Sequence, residues 1–170
     1  MNSYSEQQKK DAWSKAQPSV DPGQWRIDAN GAWIKYDEYG NDKSPYGWTI
    51  DHIIPKKLFK NESNAEIPEN RWALHKKNNE SKAGYFPKFK FVVTRDDTKN
   101  ISTEIEKYLG KDFLDGLLKK VNDLGVFEYI NEHKEEFINI YGEELVKKWI
   151  EKYRSLYYDY HGKKLFSQCV

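Results

Sequence analysis

Cysteine is all but missing from this chain: among 170 residues there is one, Cys169. An internal disulfide is therefore excluded, and so is a structural zinc site built from four cysteines. Long apolar runs are missing as well. No stretch approaches the roughly 20 apolar residues that span a bilayer, and the opening Met1-Asn2-Ser3-Tyr4-Ser5-Glu6 has no apolar signal-peptide core. The expectation is a cytoplasmic protein with no membrane partner. Hydrophobic residues are scarce at 38% and charged residues abundant at 32%, but six Trp, twelve Tyr and eight Phe compensate. Each aromatic buries a large area, so a packed core is feasible and wholesale disorder is not expected. The length fits one domain, or one catalytic module with a helical extension.

A net charge of +1 hides an uneven distribution. From His52 to Arg95 ten Lys/Arg face four Asp/Glu; from Asp96 to Leu145 six face thirteen; from Val146 to Val170 six face two. A basic stretch is what a polyanion site needs, although ordinary solvated surface gives the same linear count. The acidic stretch argues against tracking a DNA backbone and favours a protein partner or a homodimer contact. The last segment, with Tyr153, Arg154, Tyr157, Tyr158, Tyr160, Lys163 and Lys164, has the basic and aromatic character that touches DNA.

Residues 4 to 16 read as a short polar helix that Pro18 and Asp21-Pro22-Gly23 end. Trp25 to Lys35 reads as two extended pieces around Asn30-Gly31, and Trp48 to Ile54 as a β-rich run stopped by Pro55. Arg71 to Leu74 is too short to assign, His75 to Ala83 reads as a helix, and Lys88 to Val93 as a strand. Beyond Lys99 the expectation is helical. Ser102/Thr103 cap a first helix, Phe113 to Val121 mark a second, and Val126, Ile130, Phe137 and Tyr141 a third. Val146, Trp149, Ile150, Tyr153 and Tyr157 mark a last helix. The expected division is an N-terminal helix and linker at 1–24, a core at 25–95 and a helical region at 96–170.

The chemistry concentrates in Gly47-Trp48-Thr49-Ile50-Asp51-His52-Ile53-Ile54-Pro55, followed by Asn70-Arg71-Trp72-Ala73-Leu74 and His75-Lys76-Lys77-Asn78-Asn79-Glu80-Ser81-Lys82. Phosphodiester hydrolysis needs an activated water, relief of charge on the phosphate and stabilisation of the departing oxygen. A neutral histidine serves the first, and a divalent cation the other two. Mg2+ takes oxygen ligands and keeps several waters, so one carboxylate and one amide oxygen suffice; Asp51 and Asn79 are of that type. Neighbouring strand residues point to opposite faces, so a shared task for Asp51 and His52 asks the backbone to bend there. The plain alternative is a turn-capping Asp51 and a packed His52.

Asp51-His52-Ile53-Ile54-Pro55, Asn70, and Asn79 with Lys82 resemble the HNH endonuclease family in its H-N-N variant, with Trp48-Thr49-Ile50, Leu74 and Ala83-Gly84 in keeping. The likeness runs over roughly residues 25 to 84. It implies an α+β fold with a ββα-metal (HNH, treble-clef-like) nuclease core, flanked by the N-terminal helix and the C-terminal helical extension. It also implies a DNA-cleaving activity that uses Mg2+, Mn2+ or another divalent cation. By position His52 matches the general base, Asp51 and Asn79 the metal ligands, and Asn70 the middle asparagine that braces the loop bearing the base. Asn78 is the alternative ligand if the helix register differs by one. His75 stands where zinc-bearing relatives carry a cysteine, and is read as a further metal partner, a phosphate contact or simply a packed histidine. No Gly-Gly follows Pro55, where many relatives have one. Lys56, Lys57, Arg71, Lys76, Lys77 and Lys82 are the candidates for phosphate contact, Lys82 first among them. The alternative functions are a non-catalytic nucleic-acid- or protein-binding module on a nuclease fold, and a toxin-type nuclease acting on RNA or non-specific DNA.

Overall fold

The structure is a computed structural model that describes residues 4–167, with side chains to Gly162; Cys169 and the side chains of Lys163 and Lys164 lie outside the described residues. The fold is mixed α+β with small antiparallel sheets. It divides into two compact units, 1–53 with 66–108, and 54–65 with 109–170. The boundary expected at 95/96 therefore falls at 108/109. Residues 1–24 belong with the first unit, and the segment after Ile53 belongs with the second.

In the first unit, helix α1 (Glu6–Ser14) starts at a capping box: Gln8 N–H donates to Ser5 Oγ, and Ser5 N–H to Gln8 Oε1. Its Ala12 and Trp13 bury against Ile34, Trp48, Ile50 and Ala73. Strands β1 (Gln17–Pro18), β2 (Trp25–Ile27) and β3 (Trp33–Lys35) form an antiparallel sheet, with Gly31 at φ 88° in the expected turn. Strand β4 (Trp48–His52) pairs antiparallel with β5 (Arg71–His75), the segment too short to assign from sequence. Helix α2 (Lys76–Lys82) follows β5 without a loop.

Strand β6 (Lys88–Asp96) packs on α2 and pairs with β7 (Lys99–Tyr108). Residues 99–108 were expected to begin a helix capped by Ser102/Thr103, and they are instead a strand. The physical reason lies in their period of two: Ile101, Thr103 and Ile105 alternate with Ser102, Glu104 and Glu106, and β-branched residues favour extended backbone. Opposite charges support the pairing, with Lys88 on Glu106 and Lys90 on Glu104.

Two buried side chains tie these pieces together. Asp28, 3% exposed, accepts from the backbone N–H of Asn30 and Ala32 on Oδ1, and from His75 N–H and Asn78 Nδ2 on Oδ2, all at 2.8–3.1 Å. Burial pushes its carboxyl up, while the hydrogen bonds from Asn78, His75, Ala32 and Asn30 pull the other way. Asn78 is fully buried; its Nδ2 also donates to Val93 O, and its Oδ1 accepts from Val92 and Val93 N–H. One side chain thus joins α2, β6 and the β2–β3 turn.

The second unit carries α3 (Lys111–Lys120), α4 (Leu124–Glu132), α5 (Lys134–Tyr141) and α6 (Glu143–Ser167). The single helix expected from Val126 to Tyr141 breaks at His133, whose ring lies 2.8 Å from Tyr129 O. Here too a buried carboxylate fastens a loop: Asp123 accepts from Lys60, Asn61 and Gly125 N–H and from Asn64 Nδ2. Gly125 admits no side chain, since a Cβ there would sit 2.4 Å from Leu58 O. Among the described residues no helix is long and apolar enough to cross a membrane.

Removing the Asn78 amide strands donors and acceptors of three elements. Asn78→Ala is expected to cost about 3 kcal/mol, read from urea unfolding; a cost below about 1 kcal/mol would mean that other contacts hold α2.

Candidate functional site

The site is built on the end of β4 and the helix packed beside it. Asp51 pairs with Trp72, and His52 with Arg71, in an unbroken ladder. The bend expected between Asp51 and His52 is therefore absent within β4, and the two side chains leave by opposite faces of the hairpin. His52 shares its face with Ile50, a member of the core around α1. Asp51 lies on the other face, where α2 packs.

Asp51 is buried, and its Oδ2 accepts from Trp72 Nε1 at 2.8 Å while standing 3.0 Å from Lys82 Nζ. Lys82 is 1% exposed and also donates to His52 O at 2.9 Å. Two charges removed from water persist only when well paired, and here a cation, an indole N–H and a carbonyl supply the partners. This placement corrects the reading of Lys82 as a phosphate contact: it is an internal brace between α2 and the end of β4. Asn79, half-buried, lies three residues before Lys82, hence on the same side of α2.

His52 is half-buried, with Nε2 3.3 Å from Glu66 Oε2; the same oxygen lies 4.0 Å from Arg71 Nη1. Asn70 is fully buried, and its carbonyl accepts from Ile53 N–H at 2.8 Å, which fastens the residue after His52 to the start of β5.

His75 is the last residue of β5 and the cap of α2, paired with Trp48 at the far end of the ladder from Asp51. Its ring is buried, with Nε2 3.1 Å from Pro45 O, and burial holds its pKa below the usual histidine range. Of its three readings, the packed histidine matches this position. Asn78, the alternative ligand, is committed to the Asp28 knot. Lys76 is ion-paired with Asp42, Arg71 is buried, and Lys77 is exposed. Lys56 and Lys57 belong to the other unit.

Asp51 Oδ1 and the Asn79 amide oxygen are donors of the kind a hard divalent cation takes, so the residues fit in type. Among the described residues no group of three or more His, Cys, Asp and Glu could hold a metal ion. Trp72 and Glu66 are site residues that sequence reasoning missed. Trp72 becomes readable once the hairpin register places it opposite Asp51, whereas nothing in the spacing of Glu66 marks it. Comparison with family models, curated proteins and solved structures returned no significant match.

Replacing Lys82 by Met keeps its bulk and leaves Asp51 with a buried charge. Lys82→Met is expected to cost about 3 kcal/mol or more near neutral pH, and the double variant Asp51→Asn/Lys82→Met to recover part of it. Equal losses in the single and double variants, measured by urea unfolding, would show that the pair is not coupled.

Proposed function

We propose that this chain is a divalent-metal-dependent endonuclease of the HNH type, hydrolysing DNA phosphodiester bonds with His52 as general base. The observation that carries the reading is the meeting of three sequence-remote pieces at one strand end. Asp51 and His52 close β4, Asn70 fastens the next residue, and α2 lies against them with Lys82 on both Asp51 and the His52 carbonyl. The resemblance to the H-N-N pattern points to the same residues.

In this reading neutral His52 takes the proton of an attacking water, and the Glu66 carboxylate beside its ring stabilises the imidazolium that results. Asp51 and Asn79 are the residues that would hold Mg2+, Mn2+ or a similar cation. When bound, that ion supplies Lewis-acid relief of charge on the phosphate and the leaving oxygen. Trp72 and Lys82 position the Asp51 carboxylate, and Lys82 keeps its negative charge tolerable in a buried place. The family chemistry implies 5′-phosphate and 3′-hydroxyl ends.

The Lys82–Asp51 pair also favours a second reading, a non-catalytic nucleic-acid-binding module, because the carboxylate is already answered by a cation. A metal titration on supercoiled plasmid separates the two, since binding without nicking belongs to the second; RNA and single-stranded DNA substrates in the same assay address a toxin-type nuclease. His52→Ala is expected to lower plasmid cleavage by about 100-fold or more with its thermal unfolding unchanged, and EDTA to stop cleavage. A folded His52→Ala protein cutting at the wild-type rate, or undiminished cleavage in EDTA, would remove the proposed mechanism.

A further inference from the structure

We propose that Trp25 and Trp33 form a stacking site for an unpaired nucleobase of single-stranded DNA, apart from the Asp51–His52 end of the hairpin. The proposal rests on the nucleic-acid reading above. The two indoles, on β2 and β3, stand 6.5 Å apart between ring centres at 90°, making a right-angled corner. Tyr46 backs Trp25 edge-on at 5.0 Å, and Trp33 Nε1 is fixed by Asp97 O at 2.8 Å, so both walls are held. The corner opens into a cleft of about 210 Å³ lined by Ser19, Val20, Asp21, Trp25, Trp33 and Thr98. Val20 on its rim is fully exposed, an apolar residue that none of the described residues covers.

Charge identifies the occupant. Lys35 Nζ lies over one face of the Trp25 ring, 5.7 Å from its centre, and the Arg95 guanidinium over one face of Trp33 at 5.5 Å, which leaves the other face of each indole to the cleft. Two cations beside an aromatic corner repel a methylated ammonium, which such corners otherwise accept. A purely apolar ligand would make no use of them. A nucleotide uses both features, its base flat on one indole and edge-on to the other, its phosphates drawn to Lys35 and Arg95. The Asp21 carboxylate at the rim supplies an acceptor for a base amino group, as carboxylates do for cytosine N4. Duplex bases are stacked on one another and present no open face, so the site selects an unpaired strand.

The test measures binding of the full chain, without divalent metal, to a short fluorescein-labelled oligo(dC) and to an abasic strand of equal length, by fluorescence anisotropy. The wild type is expected to bind oligo(dC) about tenfold or more tighter than the abasic strand. Val20→Asp, at a fully exposed position where folding is not at stake, and Trp33→Leu are each expected to erase most of that preference. Equal affinity of the wild type for both strands overturns the proposal, as does a Val20→Asp protein that keeps the preference. A wild type that still cuts plasmid but shows no base preference removes the cleft and leaves the nuclease standing. One that prefers bases but never cuts supports the cleft and removes the nuclease.

Discussion

The first unit turns on how one short helix is held. Helix α2 has seven residues, too few to be stable alone, so tertiary contacts must fix it. Asn78 supplies them in its middle, through four hydrogen bonds to Asp28, Val92 and Val93. One turn further along the same buried face Lys82 reaches Asp51 and the His52 carbonyl. Loss of either grip would leave the end of β4 without its opposing surface.

A chain without internal cysteines holds this arrangement by burying polar groups and answering them. Asp28, Asp51 and Asp123 are each buried, and each meets backbone N–H groups, amides, an indole or an ammonium. Such knots are directional, so they set geometry where apolar packing sets only proximity. Under the HNH reading His75 stands where zinc-bearing relatives carry a cysteine. Here its backbone N–H is bound to Asp28, and the hydrogen-bonded knot occupies that end of the helix. The aromatic cluster of Trp13, Tyr36, Tyr39 and Trp48 closes the opposite face of the hairpin.

Much of this was legible in the sequence where local rules govern. The N-terminal helix, the Asn30-Gly31 turn, β4, α2 and the apolar stripes of α3 and α6 follow from helix-stop signals, turn chemistry and periodicity. Strand β7 was missed because its charged residues mask the period of two, and only pairing with β6 gives its exposed side a purpose. The grouping of 54–65 with the C-terminal helices depends on Asp123 and Gly125 meeting residues far away in sequence. At the site, residue types and the hairpin-helix order were readable. The partners were not: Lys82 was taken for an exposed cation because a linear pattern does not report burial, and Glu66 reaches His52 only through the path of the returning chain.

The claim at the centre of this account is that Asp51 and Asn79 share a cation. Crystals soaked in Mn2+ and measured for anomalous scattering test it directly. The account predicts a peak held by oxygens of Asp51 and Asn79, with Trp72 still donating to the Asp51 carboxylate. A peak elsewhere, or an undisturbed Asp51–Lys82 pair with no metal at saturating Mn2+, would contradict it.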